Sequence, residues 1–510
     1  MSIINEIRET YGIAGDTDSY KFTHPSQYVA GADRLMSYIE SRGGDYDETV
    51  FFGLQLLLKE YFLDKMTHKQ VDNIMAFQTA HFFGTKVEDL EIALRAVVDD
   101  YDGYMPLKIK AVQEGKVIPT KNVLVTVEST VEDTRIIALT TYMETLLMRL
   151  WAPTTVATTS YHIKKIIYDG LLKSADDPDA EIGFKLHDFG SRGVSSMESA
   201  AFNGAAHLVN FLGSDTTVGI MAANIGYHEE MAGFSIPATE HSTTTSFGRD
   251  GEIHLVERMF ENFAKPGAIF ATVADSYDII NFVDNITPQF KKRLRDSGAT
   301  WVIRPDSGDP VITPVEMVRR LARIFGFTYN NKGYKVLENV RVIQGDGIDI
   351  NDVKAIVDLL LEENWSISNI AFGMGGGLLQ KNNRDTLKFA MKACAVHVDG
   401  VWKDVYKDPT IYDATTWEPL KSSFKKSKAG RLELMYHPEL GMYKTVRVEE
   451  VAEHIAAGGV PQLETVYDNG VLVRDMTFAE VRANAKLPAE RIRAAEAYLK
   501  TLDDLKVEVY

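Results

Sequence analysis

Candidate catalytic side chains follow short β-rich runs between residues 180 and 380. His241 lies between Glu240 and Ser242 in the motif PATEHST. An imidazole beside carboxylates can be held in one tautomer and orientation, which suits a general base or a nucleophile that accepts a phosphoryl group. Asp275, in the motif ADSYD, is the carboxylate that we expect to orient it. A lone histidine is more often structural, so this interpretation depends on the groups that surround His241.

Two further motifs indicate a ligand that contains ribose and phosphate. Arg304 and Asp306 lie two residues apart in RPDSG, so both can point to one side, where a carboxylate accepts hydrogen bonds from vicinal hydroxyls. The glycine run at 373–377 lets the backbone approach an anion and direct N–H groups at it. Taken singly, such sequences are common in turns. The prediction therefore requires that the motifs meet in space.

Four basic residues are candidates for binding a larger anion such as pyrophosphate. They are Arg42, Arg384, Lys392 and Lys407, and a solvated surface charge is the ordinary alternative for each. The sequence has no HExxH motif and no zinc-type Cys/His spacing, so we predict no metal held by the protein alone. Mg²⁺ that accompanies phosphates needs only carboxylates and water, and we expect it as a cofactor.

The elements that must position these residues alternate between strand and helix. About seven β-rich runs, mostly followed by helix-length segments, lie at 184–189, 218–221, 234–236, 269–273, 301–303, 340–343 and 370–372. This repetition predicts an α/β fold and favours a parallel barrel, with an open sheet as the alternative. The carboxyl ends of barrel strands meet at one mouth, so the polar motifs should converge. We predict an irregular parallel α/β barrel of about seven strands.

The flanking segments predict a second, α+β domain. Strand-like runs occur at 34–39, 107–112 and 123–127, with helical periodicity at 51–63, 87–101 and 136–150, the last ending near Pro153. Strand-like pieces return after about residue 390, with a basic stretch at 421–431 and a helical segment at 488–505. Neither flank looks sufficient alone. We predict domains at 1–180, 181–390 and 391–510, of which the first and last form one unit.

Composition excludes several classes of protein. The chain has 510 residues, 45% of them hydrophobic, which excludes a small stapled scaffold and intrinsic disorder. A formal net charge of −17 argues against binding to nucleic acid or to an anionic membrane. The single cysteine, Cys394, and the lack of a signal peptide or membrane-length apolar stretch predict a cytoplasmic protein without a membrane segment.

An ordered set of motifs runs from near Asp16 to at least Ala485. It comprises TDSYKFTH, KLHDFGSRGVSS, HLVNFLGSDT, PATEHST, DSYDI, IRPDSG, RVIQGDGIDI, AFGMGGGLLQK, KDP and KAGRLEL. In this order the motifs strongly resemble the nicotinamide phosphoribosyltransferase family of type II phosphoribosyltransferases. The set covers almost the whole chain, which makes it far more specific than any one motif.

The resemblance implies an enzyme of NAD salvage that joins nicotinamide to phosphoribosyl pyrophosphate, giving nicotinamide mononucleotide and pyrophosphate. It implies Mg²⁺, and ATP as a coupled substrate hydrolysed through a phosphohistidine at His241. It also implies a homodimer with shared sites, in which nicotinamide lies between Phe189 and Tyr20 of the partner subunit, next to Asp18. An electron-poor ring is well held by stacking between two aromatic faces.

The same resemblance assigns the remaining roles. His241, Asp275, Glu240 and Asp306 are the implied catalytic residues. Asp215 is assigned to the carboxamide and Arg192 to the base or phosphate region. The phosphoribosyl site comprises Arg304, Asp306, Gly345 and Asp346, to which the glycine run adds Gly375 and Gly376. A carboxylate at Asp215 accepts a hydrogen bond from an amide NH₂ but repels the carboxylate of nicotinate, so we expect the amide to be preferred.

Two departures from the family pattern and two alternatives are open. Ser191 stands where vertebrate members carry tyrosine, which affects the base pocket, and the segment 410–424 is longer than in those members. The nearest alternative is nicotinate phosphoribosyltransferase, a related barrel that prefers the acid. A non-catalytic sensor with the same pocket is the alternative from another class, and the presence of His241, Asp275, Arg304 and Asp306 argues against it.

Overall fold

The computed structural model describes residues 2–420 and 427–496. The chain divides into two compact units: unit 1 is Met1–Thr155 with Asn383–Asn484, and unit 2 is Val156–Asn382 with Ala485–Tyr510. The sequence analysis proposed domain limits near 180 and 390, where the local pattern changes, whereas this division falls inside the long helix Trp151–Ser174 and before the strand Phe389–Val398.

Unit 2 contains a curled parallel sheet, which confirms the predicted fold class. In spatial order its strands are Gly213–Ser214, Leu186–Asp188, Ile370–Met374, Val340–Gln344, Thr300–Arg304 and Ile269–Val273. All neighbouring pairs are parallel. The first strand of the series along the chain pairs with both the second and the last, so the sheet curls toward closure.

Residues 234–238 fill the gap between the two edge strands. Phe234 forms an isolated parallel bridge with Gly213, and Ala238 forms one with Ala271. The Phe234 N–H donates to the Leu212 carbonyl at 2.7 Å, and the Ala271 N–H donates to the Pro237 carbonyl at 2.8 Å. Proline has no N–H for a ladder, which explains why this segment forms single bridges. It occupies the seventh position of the predicted barrel.

The barrel strands are buried on both faces, as parallel strands usually are. Ala271, Val302 and Ile343 form a buried cluster on one face, against which Phe189, Ile236 and Ala371 pack. On the other face, Trp301 contacts the rings of Phe260 and Phe290 from the helices Glu252–Phe263 and Thr287–Ser297. The Trp301 indole N–H donates to Thr272 Oγ1 at 2.9 Å, so its polar atom is satisfied.

Helices connect most of the strands of unit 2. The further α-helices are Pro178–Ile182, Met197–His207, Thr217–Gly226, His241–Thr245, Ile279–Asn281, Ile312–Phe325, Ile350–Glu362 and Gly376–Leu379, with a π-helical turn at Phe282–Ile286. The 3₁₀ turns are Ser191–Gly193, Arg249–Gly251 and Ile367–Asn369, and a hairpin joins Phe327–Tyr329 to Lys335–Leu337. Residues 488–496 are helical, and the rest of the predicted segment 488–505 lies outside the described residues.

One predicted strand is wrong. Residues 218–221 belong to the helix Thr217–Gly226, and the strand is Gly213–Ser214 just before it. A short apolar run does not distinguish a strand from a buried helix. The helix is set by packing, because a Cβ at Gly219 would lie 2.7 Å from the Cα of Gly204 in the helix Met197–His207.

Unit 1 is built on an antiparallel sheet that interleaves both ends of the chain. Its seven strands, in spatial order, are Val401–Asp404, Phe389–Val398, Ala32–Ser41, Val123–Ser129, Leu107–Ala111, Glu464–Asp468 and Val471–Leu472. Ala32–Ser41 pairs with Val123–Ser129 on one side and with Phe389–Val398 on the other. The predicted α+β unit made from the N- and C-terminal parts is therefore present.

Smaller sheets and short helices complete unit 1. The sheets pair Glu48–Val50 with Val117–Pro119, Ile411–Tyr412 with Pro419–Leu420, and Leu432–His437 with Met442–Arg447 and Val460–Pro461. The helices and 3₁₀ segments are Ile3–Tyr11, Ile13–Gly15, Ser19–Gln27, Leu54–Tyr61, His68–His81, Glu88–Asp100, Thr134–Ile136, Leu139–Tyr142, Glu144–Leu147, Met148–Leu150, Val448–Glu450, Val451–Ala456 and Phe478–Ala485.

The predicted helix at 136–150 is a chain of four short turns. Pro153 does not end a helix; it lies in the first turn of Trp151–Ser174, where a missing N–H costs nothing. Residues 421–426 of the basic stretch lie outside the described residues. Within the described ranges, no helix combines the length and the apolar character needed to cross a membrane.

Candidate active site

Polar side chains from several strand ends of unit 2 meet at one mouth. The position of a Cβ on Gly345, after Val340–Gln344, lies 3.1 Å from the Phe189 ring and 3.9 Å from Arg304 Cδ. Phe189 follows the strand Leu186–Asp188, and Arg304 ends the strand Thr300–Arg304. Three strands that are separate along the chain therefore contribute to one site. This is the convergence on which the sequence prediction depended.

His241 begins the short helix His241–Thr245 and is held at both ring nitrogens. Its Nδ1 lies 3.0 Å from Ser276 Oγ, and its Nε2 lies 3.0 Å from Asp306 Oδ2. A carboxylate only accepts hydrogen bonds, so in the neutral ring Nε2 carries the proton and Nδ1 accepts from the Ser276 hydroxyl. Asp275 Oδ1 is 3.9 Å from Nε2. The nearest carboxylate is thus Asp306, which the resemblance also assigns to the ribose.

Three carboxylates concentrate negative charge in this mouth. Burial, together with the charges of Asp306 and Asp275, raises the pKa of Asp346, whereas Arg304 lowers it. The Asp275 side chain is only 4% exposed, and its Oδ1 has no hydrogen-bond partner among the described residues. Arg304 Nε lies 3.4 Å from Asp306 Oδ1. The cluster carries more negative than positive charge and would attract a cation.

Phe189 is positioned by glycines on neighbouring strands. A Cβ on Gly373 would lie 2.0 Å from the Phe189 ring, so only glycine fits beneath it. A Cβ on Gly375 would lie 3.2 Å from the Phe189 carbonyl oxygen. The glycine run therefore serves the close approach of the aromatic residue as well as any ligand, and it begins the four-residue helix Gly376–Leu379.

Asp215 follows the strand next to that of Phe189, and its carboxylate is exposed. Its Oδ1 accepts a hydrogen bond from the Ser235 hydroxyl, and its N–H donates to the Asp188 carbonyl at 2.9 Å. Arg192 is exposed in the turn Ser191–Gly193. Glu240 accepts a hydrogen bond from the Ser242 hydroxyl. Phe189 and Asp215 thus directly follow two adjacent strands. The Glu240 carboxylate, in contrast, is hydrogen-bonded to the Ser242 hydroxyl.

The remaining candidates belong to unit 1. Asp18 accepts a hydrogen bond at 2.7 Å from the Thr145 hydroxyl, which fixes the start of the 3₁₀ segment Ser19–Gln27. Tyr20 is 58% exposed, with its ring centroid 5.1 Å from that of His24. An exposed tyrosine at a fixed turn is available for a contact outside its own unit.

The predicted anion-binding residues of unit 1 differ in how they are held. Arg42 Nε donates to Glu40 at 2.7 Å, and Lys392 Nζ lies 3.7 Å from Glu144. Arg384 and Lys407 are exposed. The carboxyl group of Glu40 is 4% exposed and also pairs with Lys428, so it holds two cationic side chains at once. Sequence analysis did not predict a role for Lys428.

Sequence reasoning missed Ser276 and Asp188. Ser276 directly follows Asp275 in the motif, yet its hydroxyl, not the Asp275 carboxylate, contacts Nδ1 of His241. Asp188 directly precedes Phe189, and it is fully buried. Adjacent residues at a strand end point in different directions. The sequence therefore did not show whether Asp275 or Ser276 contacts Nδ1 of His241, or that Asp188 supports the turn that contains Phe189.

The chain is similar in sequence to known proteins. Residues 184–429 match the nicotinate phosphoribosyltransferase (NAPRTase) family, and residues 12–109 match the nicotinamide phosphoribosyltransferase N-terminal domain. The chain is 48% identical to a protein of Xanthomonas campestris named nicotinamide phosphoribosyltransferase, over 92% of this chain and 97% of that protein. It is 30% identical to one of the same name from Acinetobacter baylyi, over 91% and 95%.

The fold is also similar to a crystal structure of nicotinate-nucleotide pyrophosphorylase from Pyrococcus furiosus, with a TM-score of 0.59 and 15% identity, over 95% of this chain and 96% of that one. The barrel, its mouth and these matches define a phosphoribosyltransferase, an enzyme that transfers a pentose phosphate. The chain belongs to the nicotinamide phosphoribosyltransferase family.

Proposed function

We propose that the chain forms nicotinamide mononucleotide and pyrophosphate from nicotinamide and phosphoribosyl pyrophosphate. The observation that carries the proposal is the placement of the Phe189 ring, packed on Gly373 and Gly345, beside Arg304 and the Asp306 carboxylate. An aromatic platform for a flat base thus adjoins groups suited to a phosphorylated sugar. The name of the 48% identical relative supports the same base and the same reaction.

In the proposed reaction one bond at C1 of the ribose replaces another. The C1–O bond breaks and its electron pair leaves with pyrophosphate, while the ring nitrogen of nicotinamide donates its lone pair to C1. Positive charge develops on the sugar between these events and ends on the pyridinium ring. Phe189 holds the base in line, Asp306 orients the ribose hydroxyls, and the negative charge of the mouth stabilises the cationic sugar.

Mg²⁺ fits the residues of this mouth. Asp275 Oδ1 has no hydrogen-bond partner among the described residues, and a divalent cation would provide one. The same cation would stabilise the charged form of Asp346, whose pKa is raised. Asp275, Asp306 and Asp346 would hold it together with phosphate oxygens and water. The ion supplies charge neutralisation for the departing pyrophosphate. Arg42, Arg384, Lys392 and Lys407 stay the proposed pyrophosphate-binding residues of unit 1.

ATP coupling is proposed through His241. The Asp306 carboxylate at Nε2 and the Ser276 hydroxyl at Nδ1 hold the ring in one orientation, which suits a residue that accepts the γ-phosphoryl group of ATP. In that transfer the ring nitrogen that carries no proton donates its lone pair to γ-phosphorus and forms the N–P bond, while the bond between γ-phosphorus and the bridging oxygen breaks and ADP leaves with the electron pair. A phosphohistidine adds about two negative charges beside the sugar site, which would favour Mg²⁺ and cationic states of the ribose. Hydrolysis of the phosphohistidine then returns the free imidazole.

The test for the coupling is the variant His241→Ala. We expect it to lose ATP hydrolysis and the stimulation of product formation by ATP, and we expect the wild type to carry acid-labile phosphate. His254→Ala is the matched control, because that ring is exposed and contacts only Glu257 among the described residues. ATP stimulation that persists in His241→Ala would refute the role of His241.

Asp215 is the proposed determinant of the amide. With nicotinamide and nicotinate as competing substrates, we expect the wild type to favour the amide, because its NH₂ donates to the carboxylate, whereas the acid meets a like charge. Asp215→Asn should reduce that preference by about tenfold or more. A wild type that favours nicotinate identifies the alternative enzyme, and tight binding without product identifies the sensor.

A homodimer is supported by an exposed apolar surface on unit 2. The helix Thr217–Gly226 directly follows Asp215, and on it Met221 is 56% and Ile225 80% exposed. Met197, Met231 and Phe234 are also exposed. Clustered exposed methionines and aromatic residues are typical of interfaces. In the proposed homodimer, Tyr20 of the partner subunit would contribute the second aromatic face of the base site.

A further inference from the structure

Asp188 is a buried carboxyl group that the reaction proposed above does not use. It ends the strand Leu186–Asp188, and its side chain is inaccessible to solvent. Its Oδ1 accepts a hydrogen bond from the Gly190 N–H at 2.7 Å, which closes the turn that contains Phe189. Its carbonyl accepts a hydrogen bond from the Asp215 N–H at 2.9 Å. One residue therefore anchors both proposed base-binding groups.

The second carboxyl oxygen of Asp188 is unsatisfied. Oδ2 has no hydrogen-bond partner among the described residues, and the same holds for the neighbouring Thr216 Oγ1. The helix Met197–His207 covers Oδ2, since a Cβ on Gly204 would lie 3.5 Å from it. A hydroxyl group can both donate and accept, so Thr216 can serve the charged and the protonated form of Asp188 by a small movement of either side chain. The position therefore accommodates both protonation states of Asp188.

Burial makes the charged form of Asp188 costly. Burial, opposed by hydrogen bonds from the Gly190 N–H and the Thr216 hydroxyl and reinforced by the charge of Asp215, raises the pKa of Asp188 to about 6. On the same strand as Asp188, burial lowers the pKa of His187, and Nε2 of that ring is hydrogen-bonded to the Phe184 carbonyl. On the helix Met197–His207, which covers Asp188, the ring nitrogens of His207 are hydrogen-bonded to the Ser160 hydroxyl and to the Gly213 carbonyl. The adjacent strand Ile370–Met374 carries no ionisable group.

We propose that Asp188 is a positioning residue of the base pocket that holds Phe189 and Asp215 in place, and that its negative charge adds to the discrimination against nicotinate. The inference rests on the proposed function and deepens it by naming a second determinant of the base. A second carboxylate next to Asp215 increases the negative potential that an anionic base meets. A neutral amide is affected much less. Protonation of Asp188 removes this charge, so the preference for the amide should fall as the pH falls.

The test is the ratio of kcat/KM for nicotinamide to kcat/KM for nicotinate, measured between about pH 5.5 and about pH 7.5. Any group that affects both reactions equally cancels in this ratio. In the wild type we expect the ratio to fall by about three- to tenfold toward the lower pH, the scale of one screened charge. In Asp188→Asn, which keeps an acceptor for Gly190 and gains a donor for Thr216, the ratio should be low and independent of pH.

Asp188→Ala separates positioning from charge. It removes the acceptor of the Gly190 N–H, so KM should rise for both bases, and Asp188→Asn should restore most of that loss. Glu433→Gln is the matched control: Glu433 is a buried carboxyl group of unit 1 with a raised pKa, and its Oε1 accepts from two backbone N–H groups. It should leave the ratio and its pH profile as in the wild type.

Calorimetry of the binding of both bases to the same variants tests the role of Asp188 independently of the proposed reaction. A wild type that turns over neither base refutes the proposed function, and the ratio of the two affinities then decides the role of Asp188. A ratio in Asp188→Asn that equals that of the wild type and keeps its pH dependence overturns the inference.

Discussion

Among single residues, the glycines of the candidate site matter because their missing side chains leave room for an aromatic ring. Gly373 and Gly345 leave the space that the Phe189 ring occupies, and the ring is also part of the packing inside the barrel. The residue proposed to hold the base is therefore packed against the hydrophobic core of the barrel and does not lie on a free loop. A platform held by core packing loses little entropy when a ligand stacks on it.

A methyl group at Gly373 should displace this platform. In Gly373→Ala the new Cβ would lie 2.0 Å from Phe189 Cε2, so the ring must move. We expect KM for nicotinamide to rise about tenfold and stability to fall by about 1–3 kcal/mol, the cost of overpacking. KM for phosphoribosyl pyrophosphate should change far less. Steady-state kinetics with each substrate varied decides; an unaltered KM for nicotinamide would mean that Phe189 does not contact the base.

At the scale of elements, the barrel strands need anchors at their amino ends as well as functional groups at their carboxyl ends. Lys185, just before Leu186–Asp188, is buried, and burial lowers its pKa. Its ammonium donates to the carbonyls of Ile367 and Ser368 at 3.1 and 3.2 Å and to that of Ile370 at 3.2 Å. It also pairs with Glu181 at 3.0 Å. One side chain thus joins the starts of two adjacent strands.

Removal of this anchor should destabilise unit 2. Lys185→Met keeps the apolar stem but leaves three carbonyls without their donor, so we expect a loss of about 2–4 kcal/mol in the free energy of unfolding. Lys173→Met, at an exposed lysine in the last turn of Trp151–Ser174, should change it by less than about 0.5 kcal/mol. Urea denaturation followed by circular dichroism measures both. Equal stability of the two variants would show that the Lys185 bonds contribute nothing.

For the molecule as a whole, the antiparallel sheet of unit 1 combines strands that precede the barrel segment with strands that follow it. Strand Ala32–Ser41 pairs with Phe389–Val398, which follows the barrel segment along the chain. The unit that contains Asp18 and Tyr20 can therefore be completed only after the barrel segment has been synthesised. The barrel itself keeps an apolar surface exposed on the helix after Asp215. In the proposed dimer, a complete site would combine the barrel mouth of one subunit with Tyr20 of the partner subunit.

A charge on that surface should prevent association. Ile225, 80% exposed, is the test position, and Ile225→Glu should turn a dimer into a monomer in sedimentation velocity, with a loss of product formation of about tenfold or more. Ile455→Glu, at a 51% exposed isoleucine of unit 1, is the matched control and should leave the dimer intact. A wild type that is monomeric at all concentrations rules out the shared site.

The family, the fold class and most of the barrel strands could be predicted from the sequence alone. Side-chain types and short-range periodicity are local properties, so the runs at 269–273, 301–303, 340–343 and 370–372 were recognisable as strands, with their polar residues after them. The ordered motifs were enough to indicate the family. The helix at Thr217–Gly226 was mistaken for a strand because ten apolar and small residues carry no decisive period.

Only the tertiary structure decided which groups touch. The contacts of His241 with Ser276 and Asp306 and the bridges that residues 234–238 form join residues that are 21 to 65 positions apart, and the burial of Asp188 depends on a neighbouring helix. Such contacts follow from the packing of strands and from the direction of each side chain at a strand end, and no local pattern encodes either. The pKa of Asp188 is the clearest case, since it is set by exclusion of water that only the assembled barrel and its helices provide.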